Sequence, residues 1–241
     1  MMGVEIAEVT PLSGRWRDSG PLGGGPFPAR PAHPDLPDLP ARLALPVLPA
    51  LAGLLPGGLP RGTVMTAGGP GLLCLALAAG ASAAGAWTAV AGMPQLGVAA
   101  AADVGLEPSR MLLIPEPGPG WPQVVASLLD GCEVVLVRPP SQPSAQIRRR
   151  LAATLRRSGG VLIVAGDWEG AQARLLVMSQ EWTGIGAGHG RLRARQVRVV
   201  ADGRGAAARP RTQWLWLPGP DGSVSAADRL AVTEQDRRDA G

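Results

Sequence analysis

Residues 66–80 read TAGGPGLLCLALAAG, a glycine-rich turn running without a break into an apolar helix, and they follow GGLPRGTVM at residues 57–65. That order, strand then glycine turn then helix, is the approach to a phosphate-binding loop. Such a loop normally ends in Gly-Lys-Thr or Gly-Lys-Ser, with the lysine on the outer phosphates and the hydroxyl on Mg2+. Here Gly71 is followed by Leu72 and Leu73.

Working outward from this stretch, apolar segments alternate in type. Thr63 to Ala67 reads as a strand, Gly71 to Ala84 as a helix, and Trp87 to Ala91 as a strand; Gly97 to Val104 is a helix, Met111 to Pro115 a strand and Trp121 to Leu129 a helix. The continuous apolar runs from Cys132 to Val137 and Gly160 to Asp167 have the character of strands covered on both faces. Between them, Pro143 to Arg157 places Ile147, Leu151 and Leu155 on one helical stripe, with Arg148, Arg149 and Arg156 turned away. Strands alternating with crossover helices predict a mostly parallel α/β sheet. After Ala173 the helices stop and strand-like segments follow one another directly, so antiparallel strands are expected on the C-terminal side.

Domain limits follow from composition. The chain has 241 residues, 34 of them glycine and 25 proline, with proline concentrated before Pro60. Residues 1–42 read as a Pro/Gly-rich disordered arm, 43–220 as one domain and 221–241 as a flexible tail. All 23 basic residues are arginine; Lys, Asn and Tyr are absent, which points to a GC-rich genome. Whatever the cause, the chain has no lysine with which to complete a phosphate loop.

Cys74 and Cys132 lie inside apolar runs without CxxC spacing, and His33 and His189 are the other soft ligands, so neither a zinc site nor a disulfide framework is indicated. Both read as small buried hydrophobes. The uncharged run at residues 62–102 is divided by Gly68, Gly69, Pro70, Gly71, Gly80, Gly85, Gly92 and Pro94, which favours a buried strand, helix and strand over a membrane span. The N-terminus MMGVEIAEVT lacks the build of a secretory signal, and a cytoplasmic location is expected.

The approach LPALAGLLPGGLPRGTVMTAGG (residues 48–69) and the later LRARQVRVVADGRGAAARPRTQWLWLPGPDG (residues 192–222) resemble the phosphate-loop segment and closing hairpin of the RecA-like ATPase core. More narrowly, the chain resembles the actinobacterial ImuA group, small RecA relatives associated with error-prone lesion bypass. The resemblance places the first loop glycine on Thr66, the lysine on Leu72 and the Mg2+ hydroxyl on Leu73, with Gly68, Gly69 and Gly71 completing a degenerate loop. In AVAGMPQLG it places the catalytic glutamate on Met93, and at the end of EVVLVRP the Walker B aspartate on Arg138.

Phosphoryl transfer depends on positioning and electrostatic stabilisation by such groups. What the resemblance implies is therefore a non-enzyme with no catalytic residue, cofactor or metal. Its role would be that of an adaptor in translesion synthesis for a Y-family polymerase-like partner of the ImuB type, with RecA and DNA as further candidate partners. Two rivals stay open, an ATP-dependent enzyme with an unorthodox site and a direct DNA-binding protein, because backbone N–H groups at a helix start attract anions without any lysine.

Charge is uneven. Residues 143–213 hold 13 arginines against four acids, net +9, while the 142 residues before them carry net −3. Arg148, Arg149, Arg150, Arg156 and Arg157 on the helix, with Arg191, Arg193, Arg195 and Arg198 on the following strand, form a candidate surface for a partner or nucleic acid. The competing reading is a solvated helix face and an arginine-rich edge strand. Trp214 and Trp216 share a strand face by period two, and core packing is expected for them as for Trp168 and Trp182. His189 reads as a turn residue. The arm and the tail are the candidate docking segments, with DRLAVTEQ able to form a short helix.

Overall fold

The computed structural model describes residues 44–68, 71–186, 189–204 and 209–228, the side chains of 185–191 excepted. The chain enters with β1 (Ala44–Leu45), a short 3-10 turn and β2 (Leu59–Pro60), then β3 (Thr63–Gly68) and α1 (Leu72–Ala83). It continues through β4 (Thr88–Ala91), α2 (Val98–Val104), β5 (Met111–Ile114), α3 (Trp121–Gly131), β6 (Val134–Val137), α4 (Ala145–Ser158) and β7 (Val161–Ala165). Four strands close it: β8 (Ala173–Gly186), β9 (His189–Gly203), β10 (Arg211–Trp216) and β11 (Ser225–Ala226).

Nine strands form one sheet in the order β11-β10-β9-β8-β3-β7-β6-β4-β5. From β8 to β5 all neighbours are parallel, and β8 to β11 pair antiparallel. The runs VVLV in β6 and VLIV in β7 are wholly buried because helices cover both faces there. On one face α1 packs with Met65, Val90, Leu136 and Ile163; on the other α3 and α4 pack with Val64, Ala89, Val135 and Leu162. At the bottom of β4 the Trp87 N–H donates to the buried Glu133 carboxylate at 2.8 Å, tying that strand to β6.

The helices form for identifiable reasons. In α3, Trp121, Val125 and Leu129 recur every four residues and are the buried stripe. In α4, the Ser144 hydroxyl caps the Ile147 N–H, Gly159 ends the helix in the left-handed conformation, and Leu151 and Leu155 face the sheet. α1 is different: its sequence LLCLALAAGASA has no polar side, and residues 73–79 are all buried. A helix apolar all round must be enclosed. The enclosure on the side away from the sheet is the segment from Leu45 to Leu59, whose Leu51, Leu54, Leu55 and Leu59 join the same core.

Every strand and helix expected from β3 to β7 is present, with ends shifted by a few residues. The domain limit expected at residue 220 is corrected: Ser225–Ala226 pair with Trp216 and Leu215, so the sheet runs past it. The arm at 1–42 and residues 229–241 lie outside the described residues. No helix among the described residues is long and apolar enough to cross a membrane.

Gly80 is the contact on which the enclosure of α1 depends. A Cβ there would sit 2.3 Å from the Val47 carbonyl carbon and 2.6 Å from the Leu48 nitrogen, both backbone atoms that cannot swing aside. Gly80→Ala should therefore cost about 1–3 kcal/mol by overpacking, despite a helix-propensity gain of about 1 kcal/mol. Gly131→Ala, at a helical glycine whose added Cβ would meet nothing within 4 Å, should be neutral or stabilising. Urea unfolding midpoints at constant m-value check the pair; equal effects of the two substitutions would refute the close-contact role.

Candidate functional site

The residues singled out by the degenerate loop gather at the carboxyl ends of the parallel strands. Thr66 is buried within β3, Gly68 ends it, and Gly71 is the N-cap of α1 with helical φ and ψ and no side-chain cap. Gly69 and Pro70 fall outside the described residues. Leu72, half-buried, packs against the core of the α1 face, and Leu73 is completely buried. From the other side, Leu176 of β8 closes on the turn: a Cβ on Gly68 would lie 2.6 Å from its Cδ2. Leucine thus meets the loop from within the helix and from the neighbouring strand.

Met93 and Arg138 stand at adjacent strand ends, since β4 and β6 are parallel neighbours with Ala91 opposite Val137. Met93 is half-buried and packs on the α1 core, whereas Arg138 is exposed and its N–H donates to the Ala91 carbonyl at 3.0 Å. Burial pushes the Cys74 thiol up to about 12, and the Arg138 charge works against that rise, so the guanidinium acts electrostatically on the first turns of α1. Cys132, at the foot of β6, is raised to about 11 by burial and by the Glu133 carboxylate. Both thiols are free and buried. Among the described residues no cluster of three metal-ligating side chains occurs.

The arginine set divides. On α4, Arg149, Arg150 and Arg156 are exposed and have no ion-pair partner among the described residues. Arg148 is held by the Glu169 carboxylate and the Pro143 carbonyl, while Arg157 pairs with Asp130 at 3.1 Å in an exposed geometry of little energetic weight. Arg156 and Arg157 in the last turn also suit the helix dipole. On β9, Arg193 and Arg198 are exposed, and Arg191 lies where side chains are not described.

Arg195 corrects the expectation of a shared surface, being only 5% exposed. Its Nε donates to the Leu217 carbonyl at 2.7 Å, its Nη1 to the Gln180 side-chain oxygen at 3.3 Å, and its guanidinium lies 5.1 Å from the Trp182 ring centroid. A charge taken from water survives only with such partners. Burial lowers its pKa from the ordinary arginine value.

The tryptophans divide similarly. Trp168 is buried in the α3/α4 core, as expected. Trp182 is exposed, covering Arg195 rather than packing in the core, and Trp214 and Trp216 are half-buried. His189 opens β9, its side chain among those not described.

Sequence reasoning did not single out Arg174, Leu176, Gln196 or Val200. Alternation along β9 puts Val197, Val199 and Ala201 on the α1 side, all buried, and therefore Gln196, Arg198, Val200 and Asp202 on the other. Register adds Leu176 beside Val200, Arg174 beside Asp202, and Trp214 beside Arg198. The α3 and α4 layer packs on β3, β7, β6 and β4, and among the described residues no helix covers this side of β8–β10, where Gln196 is buried and Val200, Trp214 and Trp216 are half-buried. The signal available was the alternation in QVRVVAD, a strand with one apolar and one mixed side.

The two thiols yield a pH prediction. A thiol raised above its ordinary 9.0 favours the neutral form in the folded state, so its contribution is complete below pH 9 and is lost as pH climbs toward 11 and 12. Stability should be flat from pH 7 to 8.5 with respect to these groups and lower by on the order of 1 kcal/mol per thiol at pH 10. Urea midpoints of the parent and of Cys74→Ala against pH check this, the variant losing part of the slope. A disulfide-exchange reagent at pH 8 should label neither thiol before unfolding.

A family model, the MT3502 N-terminal domain, matches residues 53–170. The uncharacterised protein Rv3395c of Mycobacterium tuberculosis is 37% identical over 127 residues, 51% of this chain and 62% of that protein. This chain therefore spans about three fifths of the relative's length. The crystal structure of flagellar accessory protein FlaH from Methanocaldococcus jannaschii is similar at 12% identity, with a TM-score of 0.51 over 75% of this chain and 97% of that one. At that identity the likeness is one of fold, and the fold is RecA-like. The segment matched by the family model runs from before β2 to beyond β7 and contains the degenerate loop, Met93, Arg138 and all of α4.

Proposed function

We propose that this chain is a non-catalytic RecA-like adaptor in DNA-damage tolerance, akin to the actinobacterial ImuA group, which holds a Y-family polymerase-like partner of the ImuB type. The observation that carries the non-catalytic part is the first turn of α1. Leu72 and Leu73 occupy the positions of the phosphate-binding lysine and the metal-binding hydroxyl, and both pack into the core. Restoring a lysine at position 72 would set its charge against the core's apolar surface. Met93 and Arg138 leave the ends of β4 and β6 without the carboxylates that would orient water or hold Mg2+.

The adaptor part and its setting in translesion synthesis rest on the ImuA resemblance. They are supported by exposed surface elsewhere: Arg149, Arg150 and Arg156 on α4 and Arg193 and Arg198 on β9, which have no ion-pair partner among the described residues.

Equilibrium titration with a fluorescent ATP analogue, with and without Mg2+, tests the first part. No saturable, metal-dependent binding is expected at micromolar analogue; such binding would favour an ATP-dependent enzyme and end the present reading. A pull-down from DNA-damaged cells tests the second, with a Y-family polymerase-related protein as the expected prey and its absence as the contrary result.

Direct DNA binding is a second reading, favoured by Arg149, Arg150 and Arg156, which stand exposed without an acid to neutralise them among the described residues. Its signature is affinity that falls steeply with salt. Changing these three to alanine should then flatten the log–log slope by about 0.9 for each phosphate that is no longer neutralised. Salt-independent or absent binding removes this reading.

A further inference from the structure

We propose that the outer edge of β5 is a self-pairing site, at which two copies of this chain join their sheets antiparallel across a two-fold axis at Leu113. The inference does not depend on the adaptor reading, since it concerns the edge of the sheet alone.

β5 is the last strand of the nine-stranded sheet, so on one side it has no neighbouring strand among the described residues. At the opposite end of the sheet the edge is blunted, β11 being two residues, Ser225 and Ala226. β5 is longer and carries no charge between Arg110 and Glu116. Sheet edges are usually guarded by charge or by brevity, because an unguarded one offers its backbone to another chain. Leu112 and Leu113 are 38% and 40% exposed. Leu112 lies beside Ala89 and Leu113 beside Val90, so the two leucines extend both apolar layers of the sheet outward, one on each side.

The backbone fixes the register. Gly92 N–H donates to the Ile114 carbonyl at 2.9 Å, so Ile114 turns its polar groups toward β4. Successive strand residues turn theirs to opposite sides, which leaves Met111, Leu113 and Pro115 facing outward. The Met111 N–H is already given to the Pro108 carbonyl, and Pro115 has none to give. Leu113 therefore supplies the outward donor of this edge. Two antiparallel copies both use it when Leu113 stands opposite Leu113, a pair that exchanges both N–H···O bonds.

The same register satisfies the side chains. It sets Leu112 of each copy opposite Ile114 of the other, on one side of the joined sheet. It also brings Arg110 of each copy to the end of the strand where the other carries Glu116, since both lie three residues from Leu113. Glu116 is exposed and has no ion-pair partner among the described residues. Arg110 gives Nη1 to the Gly85 carbonyl and pairs with no acid there, the neighbouring Glu107 carboxylate being bonded by Ser109. A strand with opposite charges equally far from its donor is its own antiparallel complement, and this argues for a second copy over a foreign strand. Two backbone bonds and a few side chains make a small contact, at the weak, transient end of protein interfaces.

Sedimentation equilibrium of the full chain from about 10 μM to about 1 mM tests this. A monomer–dimer equilibrium is expected, and Leu113→Lys and Glu116→Arg should each weaken it roughly tenfold or more. Mixing variants reads the geometry. Glu116→Arg has arginine at both ends of the strand and Arg110→Glu has glutamate at both, so each alone should be monomeric, while an equimolar mixture should form a heterodimer. Arg110→Glu gives up the bond to Gly85, so amide exchange by NMR on the parent chain supplies a measurement free of any folding defect. The Leu113 amide should exchange fast in dilute solution and slowly as the dimer forms, whereas Leu112 and Ile114, turned toward β4, stay protected throughout. A chain that remains monomeric at about 1 mM overturns the proposal. So does a dimer that Leu113→Lys and Glu116→Arg leave unchanged, or a mixture no more associated than its components. A Leu113 amide already protected in the monomer also overturns it, because another segment of the chain would then hold the edge.

Discussion

The enclosure of α1 is the constraint from which the rest of the structure follows. A helix with leucine, cysteine and alanine on every side and no charged residue along its length is unstable in contact with water, so it must be covered by the sheet on one side and by the N-terminal segment on the other. The segment from Leu45 to Leu59 approaches so closely that only glycine fits at position 80. Closing α1 in this way also decides what its first turn can do. Leu72 and Leu73 are held by the same packing that stabilises the helix, and the stability of the fold and the apolar character of the loop are one property.

Much of this architecture was legible in the amino-acid sequence, and the parts that were not share a cause. Buried parallel strands announce themselves as runs such as VVLV and VLIV, and amphipathic helices as stripes such as Ile147, Leu151 and Leu155, because each is set by its own side chains. The short pairs β1–β2 and β10–β11 have no such signal: two residues of strand are defined by their partners alone. Arg195 is the same kind of case. Nothing local separates it from Arg193 or Arg198; its burial comes from the Leu217 carbonyl, the Gln180 amide and the Trp182 ring, the nearest of them thirteen residues distant in sequence. For the candidate site, the positions of the degenerate loop could be read directly from residue types. The side of β8–β10 without a helix among the described residues could not, since it depends on which strands the helices leave uncovered.

The basic character of the second half also changes meaning once the chain is folded. Counted along the sequence, the arginines form one positive block. In the structure they part company: Arg148 and Arg157 are engaged with acids, Arg195 is an internal tie, and Arg149, Arg150, Arg156, Arg174, Arg193, Arg198, Arg204 and Arg209 are exposed. The last group adds most directly to the field that an approaching molecule would feel.

The great length of β8 and β9 has a mechanical consequence. β8 pairs with β3 only as far as Leu176 and then continues for ten more residues. β10 backs β9 as far as Gln196, opposite Glu181, so only beyond that point do β8 and β9 stand as a two-stranded ribbon. Arg195, tied to the Leu217 carbonyl and the Gln180 side chain, sits where the ribbon leaves β10, so the sheet is fastened by a side chain at the place where its backbone ladder loses a strand.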